Sequence, residues 1–224
     1  MPTASRDPFS NYPPRWDVYD YYKNAVPAYV MGFSSEHGDI VRFGARYRFA
    51  KSFQGVLLDD VSARTLSAYS KLSHVMFTFG AFESFLKIQG LNNDSYDHHL
   101  SHYPTAMWLA NIRTTDTGDR VMKFCRSVAT PGRRVKRELD AYLSGRPASF
   151  VYLAFAMRNA FAHGHLTGQV WGSEPGIVAH CATVVTKGLF SIMETEWERL
   201  MMELDAEMDS IFDPPDAYED WQAI

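Results

Sequence analysis

The sequence predicts an all-α protein, a bundle of four to five helices with a small β element near the N-terminus. Two long stretches, near residues 59–89 and 177–212, repeat apolar residues at spacings of three and four, as amphipathic helices do. Glycine and proline separate the segments between these stretches. The chain has 224 residues, 46% of them hydrophobic, which is enough apolar surface for one sizeable core.

Residues 1–58 are expected to form an N-terminal arm and a small β element that pack on the bundle. The first 28 residues are rich in aromatic side chains, whereas free tails are poor in them. Between residues 39 and 58 apolar and basic residues alternate, which is typical of a strand or hairpin with Gly44 or Gly55 near a bend. Such a strand is either half buried with a solvated basic face, the alternative that we favour, or a surface that touches RNA.

Residues 59–212 are expected to form the helical bundle. Asp59 or Asp60 can cap the first long helix, which runs to about Gln89 before Gly90 ends it. Its inner stripe consists of Leu66, Tyr69, Leu72, Val75, Met76, Phe79, Phe82 and Leu86.

Four further helices follow an irregular polar loop that extends to about residue 107. Two short helices are predicted at 118–128 and 133–143, because Pro131 and Gly132 separate them. An apolar helix is predicted at 149–163 and a long one at 177–212. The remaining residues, 213–224, read as an acidic C-terminal tail.

Composition and motifs exclude several classes of function. The formal net charge is -4, so any contact with nucleic acid must come from a local basic cluster. No P-loop, dinucleotide-binding or nucleophile-elbow motif occurs, and we expect no cofactor. Cys125 and Cys181 are expected to be free thiols of a cytoplasmic protein, although a disulfide stays open. Without a signal peptide or an uncharged apolar run of about 18 residues, we expect no membrane partner.

The segment MRNAFAHGHL, residues 157–166, holds the candidate catalytic residues. Arg158, Asn159 and His163 interrupt an apolar helix just before Gly164, which suits a left-handed cap. Asn159 and His163 are four residues apart, so their side chains share a face and can hydrogen-bond. The free carbonyls of the last turn favour the imidazolium form of His163.

These groups match the needs of phosphodiester cleavage by an adjacent 2′-hydroxyl. An imidazole transfers protons to or from the attacking and leaving oxygens, while a guanidinium stabilises the charge that grows on the phosphoryl oxygens. No metal is required, because the ribose supplies the nucleophile, and only RNA has that hydroxyl.

The string RNAFAH resembles the signature of the HEPN family (higher eukaryotes and prokaryotes nucleotide-binding), an arginine, a polar residue, three residues and a histidine near the end of a late helix. The resemblance implies an all-α bundle and a metal-independent endoribonuclease whose composite site forms across a homodimer. It implies that Arg158 stabilises the scissile phosphate, Asn159 orients His163, and His163 performs acid–base chemistry. It also implies a toxin or anti-phage role with an antitoxin or regulatory protein as partner. The alternatives are a non-catalytic module that binds RNA, a nucleotide or a protein, and a helical adaptor whose motif is core structure.

Two supporting residues follow from the same resemblance. Family members often carry an acidic residue on the first long helix, and Glu83 is the candidate to orient Arg158 or His163. The alternative is that Glu83 reaches solvent or pairs with Lys87. His165 stands where one subgroup of the family has tyrosine, and it is either an auxiliary phosphate ligand or a loop histidine.

Two other clusters were considered. His98, His99 and His102 have spacings that metal ligands use, but no partner cluster accompanies them, so we expect a polar loop and no metal. A basic run near residue 135 is a candidate grip on RNA phosphates, although a solvated helix face is the commoner explanation. The run consists of Arg133, Arg134, Lys136 and Arg137.

Overall fold

The structure is a computed structural model that describes residues 8–96, 100, 102–130, 133–170 and 172–212. The described residues form nine α-helical segments and no strand beyond an isolated bridge between Val170 and Ser173. In chain order the segments are α1 Trp16–Tyr22, α2 His37–Ser52, α3 Ala63–Ile88, α4 Asn93–Tyr96, α5 Thr105–Thr115, α6 Arg120–Val128, α7 Arg134–Leu143, α8 Phe150–Ala162 and α9 Pro175–Phe212. The prediction of an all-α bundle is confirmed.

The small β element predicted for residues 39–58 is wrong, because α2 occupies most of that range. Its buried residues recur at helical spacings and face the core: Ile40, Phe43, Gly44, Tyr47 and Ala50. Val41 and Phe49, which produced the apparent alternation, are 50% and 56% exposed. Two apolar residues on the solvent face therefore imitated the period of a strand.

Gly44 marks a close approach of two elements rather than a bend. A Cβ atom at this position would lie 2.3 Å from Cη2 of Trp16, so the indole ring packs directly on the backbone of α2. Trp16 also stacks on Trp197 of α9, with ring centroids 4.9 Å apart. The N-terminal segment is thus held on the bundle by aromatic packing.

The central helix α3 packs along both α9 and α2, and α8 packs against α3. The cap of α3 is Ser62 rather than Asp59 or Asp60: its hydroxyl accepts a hydrogen bond of 3.1 Å from the amide of Thr65. The helix ends at Ile88, as predicted to within one residue.

Of the shorter helices, α6 and α7 agree with the sequence, whereas α1, α4 and α5 lie in segments predicted to be an arm or a loop. Helix α5, Thr105–Thr115, begins inside the predicted polar loop, and only Ile112 among its residues is buried. Asp116 follows it, almost fully buried, and its carboxylate accepts hydrogen bonds from the amides of Arg120 and Val121 at 3.0 and 2.8 Å. It thereby caps α6, although burial raises the pKa of that carboxyl above its usual range.

The long helix α9 lies in the core but is also apolar enough to cross a membrane by length and composition alone. Its 36-residue segment 175–210 contains an 18-residue window of mean hydropathy 1.5. The exposed Lys187 interrupts the apolar run, so this helix has no uncharged apolar stretch long enough to meet the criterion applied to the sequence. More than half of that window, 56%, is buried inside the fold, as a core helix also requires.

Both cysteines are free and buried, as expected for thiols outside a disulfide. Burial raises the pKa of the Cys125 thiol to about 12 and raises that of Cys181 as well. Neither sulfur is therefore a nucleophile at neutral pH.

Candidate functional site

The end of α8 is fixed by a turn that directs two histidines outward. Gly164 has a φ of +73°, the left-handed conformation that glycine adopts without strain. The amides of His165 and Leu166 both donate to the carbonyl of Ala160, at 2.9 and 2.8 Å. Leu166 is only 1% exposed and anchors the turn in the core. His163 and His165 on either side of the glycine are consequently exposed to solvent.

Arg158, one turn earlier, is held by three neighbours. Its Nη1 donates to Oδ1 of Asn159 at 2.8 Å, and its Nη2 lies 3.5 Å from Oε2 of Glu83 on α3. The guanidinium carbon lies 6.0 Å from the centroid of the Phe79 ring. The side chain remains 31% exposed. The cation is therefore oriented by the fold and still accessible to a ligand.

These contacts show which groups the side chains of Glu83 and Asn159 bind. Glu83 faces Arg158, whereas Lys87 pairs with Asp39 at 2.9 Å. The expected hydrogen bond between the side chains of Asn159 and His163 does not occur within the described residues. The oxygen of the Asn159 side chain is used by Arg158, and only the backbone amide of His163 bonds to Asn159, at 3.0 Å. Asn159 thus orients the arginine rather than the histidine.

A pocket of about 420 Å³ opens beside these residues between α6, α7 and α8. Its polar rim contains Asn159, His163, His165 and Arg133. The ring centroids of the two histidines are 6.4 Å apart. The apolar part of the lining comprises Cys125, Val128, Ala129, Val135, Phe155, Ala156 and Ala160. The pocket therefore combines an apolar floor with a rim of hydrogen-bonding and basic groups.

The predicted basic run is divided by the fold. Arg133 is exposed and lines the pocket. Arg134 instead pairs with Asp94 at 2.6 Å and lies over the ring of Tyr152, with 4.8 Å between its guanidinium carbon and the ring centroid. It joins α4, α7 and α8 and is committed to the fold.

The other two members of the run, Lys136 and Arg137, do not belong to the described lining of the pocket. Of the four cations of the run, Arg133 is the one that lines the pocket, and contact of the others with RNA stays a prediction.

The histidine cluster near residue 100 yields no metal site in the described part of the chain. His98 and His99 lie outside the described residues, and His102 is exposed. No group of three or more potential metal-binding side chains was found among the residues that the structure describes.

The apolar floor was not predicted from the sequence. Its walls come from α6 and α7, which are distant in sequence from the motif on α8. One signal was present: Ala156 and Ala160 are four residues apart on the face of α8 that carries Asn159 and His163. Small side chains at that spacing leave room above a helix.

Comparisons with known proteins give no match for this chain. No protein-family model, no curated protein and no solved structure matches it.

Chemically, the C-terminal half of α8 and the turn after it carry a fixed guanidinium and two accessible imidazoles. Imidazole is the side chain that most readily gains and loses a proton near neutral pH. A guanidinium binds phosphoryl oxygens through paired N–H donors and carries its charge at all relevant pH values. Both are reagents for the chemistry of phosphate esters.

Proposed function

We propose that the protein is a metal-independent endoribonuclease of the HEPN class, acting as a toxin or an anti-phage effector. Its site would use His163 for proton transfer and Arg158 to stabilise charge on the scissile phosphate, while Glu83 and Asn159 orient the guanidinium. The 2′-hydroxyl of the substrate would attack the neighbouring phosphorus and leave a cyclic phosphate and a free 5′-hydroxyl.

The observation that carries the proposal is the pairing of an oriented cation with an exposed imidazole at the end of one helix. A motif with a purely structural role would bury both side chains and satisfy them inside the chain. His163 is instead exposed, and Arg158 keeps about a third of its side chain open to solvent. The burial of both thiols favours an acid–base mechanism over nucleophilic catalysis by cysteine.

The proposal includes a homodimer, in which the ends of two α8 helices form one composite site. The first five residues of α8, 150–154, are all buried within the chain. Only its C-terminal half, with Arg158, Phe161 and Ala162, is open to a second copy. A dimer contact through α8 would therefore include the site itself.

The decisive experiment measures cleavage of single-stranded RNA in excess EDTA. The wild-type protein should cut RNA and leave 2′,3′-cyclic phosphate ends, whereas a matched oligonucleotide with 2′-deoxyribose at the cleaved position should stay intact. His163→Ala and Arg158→Ala should each lower the rate by at least about a hundred-fold, the usual scale for losing a proton-transfer group or an electrostatic stabiliser. Dependence on an added metal, or no cleavage of any RNA, would contradict the mechanism.

A non-catalytic binding module is the second candidate function. The observation that favours it is the set of contacts that Arg158 makes within the chain. Its contacts to Glu83 and Phe79 already give the side chain a role in joining α8 to α3. Such a module would bind RNA or a nucleotide but cut neither, in wild-type protein and in His163→Ala alike. Binding measurements with that variant, in parallel with the cleavage assay, distinguish the two functions.

A further inference from the structure

We propose that the pocket beside the motif binds one unpaired nucleotide of RNA, with the base in its apolar floor and the 3′-phosphate at its polar rim. The identity of the ligand as RNA rests on the proposed function. The geometry of the pocket adds the substrate class, which is single-stranded RNA.

The floor has the size and character that a nucleobase needs. At about 420 Å³ the pocket falls in the lower part of the range typical of small-molecule sites. Phe155 on α8 is half buried and offers the only phenyl ring among the lining residues, all of which the structure describes. Bases in single-stranded RNA stack on such rings and on apolar surfaces. Val128 on α6 and Val135 on α7 add apolar surface to the lining.

The rim supplies groups for the phosphate. His163, His165 and Arg133 are all exposed at the mouth of the pocket. Hydrogen bonds between a ring N–H and an oxygen span about 2.9 Å, so two rings with centroids 6.4 Å apart leave room for phosphate oxygens between them. Because Arg158 uses only the oxygen of the Asn159 side chain, the NH₂ group of that amide can donate to the nucleotide.

The position of the pocket relative to Arg158 links binding to cleavage. Asn159 lines the pocket and accepts a hydrogen bond from Arg158, so one side chain separates the oriented guanidinium from a ligand in the pocket. A base inserted into the floor must be unstacked and unpaired. The pocket would therefore select loops and single strands and exclude continuous duplexes.

The test uses a substitution that fills the floor without removing a polar group. Ala129 is half buried at the end of α6, in an extended conformation (φ -68°, ψ 137°) that accepts any side chain. Ala129→Phe should occupy the space of the base. Ala148→Phe is the matched control, because Ala148 is also a half-buried loop alanine but lines a different surface pocket. Val128→Phe, at a half-buried apolar position of the floor, provides a second blocking variant if Ala129→Phe fails to fold.

The experiment measures the affinity of the protein for the four nucleoside 3′-monophosphates and for inorganic phosphate in EDTA. Binding is monitored through the ring proton signals of His163 and His165 in NMR spectra. At least one nucleotide should bind wild-type protein about ten-fold more tightly than phosphate does, as stacking of a single base provides. The blocking variants should remove that difference and leave phosphate binding unchanged, while Ala148→Phe should behave as wild type.

The outcomes separate this inference from the proposed function. Nucleotides that bind no more tightly than phosphate, or that bind the blocked variants as tightly as wild type, overturn the nucleotide pocket even if RNA is cut. Conversely, base-dependent binding that the blocking variants abolish, in a protein that cuts no RNA, retains the pocket and overturns the ribonuclease.

Discussion

Replacing His163 by alanine should abolish RNA cleavage and leave the stability of the fold almost unchanged. The side chain is exposed, and the hydrogen bond that ends α8 is made by the backbone amide, which alanine retains. Exposed substitutions of this kind change the free energy of unfolding by about 0.5 kcal/mol or less. For a chain of this length that corresponds to a shift in melting temperature of no more than about 2 °C.

Arg158→Ala should have a larger, though still modest, effect on stability. It removes a hydrogen bond of 2.8 Å to Asn159 and an ion pair with Glu83 whose side chains are 31% and 42% exposed. A hydrogen bond contributes about 1 kcal/mol and a partly exposed ion pair less than about 1 kcal/mol. The expected loss is therefore about 1–2 kcal/mol, or about 2–8 °C in melting temperature.

Thermal unfolding and RNA cleavage measured on the same preparations test this separation of stability from activity. Arg158→Lys is the control, since it keeps the charge but loses the planar fork that binds phosphate through paired donors. A fall of more than about 5 °C for His163→Ala would refute the reasoning, because it would identify the histidine as part of the core.

Two further predictions concern the fold. Gly44→Ala should destabilise the protein by about 1–2 kcal/mol, because the added methyl group meets the ring of Trp16. Gly80→Ala, in α3 with nothing within 4 Å, should stabilise the protein by about 0.5–1 kcal/mol. Chemical denaturation measures both changes, and a Gly44→Ala variant more stable than Gly80→Ala would contradict the prediction. Burial raises the pKa of Tyr19 from 10.0 to about 12, so its contribution to stability is complete below pH 10.0 and is lost as the pH rises towards about 12. Denaturation on either side of pH 10.0 should show a smaller alkaline loss in Tyr19→Phe than in wild type, and an equal loss would refute the assignment.

The parts of the fold that the sequence predicts are those in which local pattern and burial agree. α3, α8 and α9 have long apolar stripes or runs, and their observed limits lie close to the predicted ones. α2 was misread because two exposed apolar residues, Val41 and Phe49, completed an alternating pattern. α5 was missed because it buries little: a helix that contributes one fully buried side chain, Ile112, shows almost no periodicity.

The residues of the candidate site likewise fall into those that the sequence predicts and those that only the structure reveals. Asn159 and His163 are four residues apart at one helix end, so their shared face follows from the period of the helix alone. The hydrogen bond from Arg158 to Asn159 is seen only in the structure. The contact between Glu83 and Arg158 depends on which face of α3 meets α8, which the sequence alone does not determine. The structure shows that contact. Neither the pocket floor nor the commitment of Arg134 to Asp94 could be predicted, because each depends on packing between segments far apart in the chain.

The order of the helices has a consequence for synthesis. Glu83 and Arg158 lie on helices that pack with α9, and the ribosome makes α9 after both of them. Until Pro175–Phe212 has emerged, α3 lacks the helix against which it packs most extensively, although α8 can already contact it. In a chain with the proposed activity, α3, which carries Glu83, would reach its final packing only after α9 has been made, so the site would be completed late in synthesis.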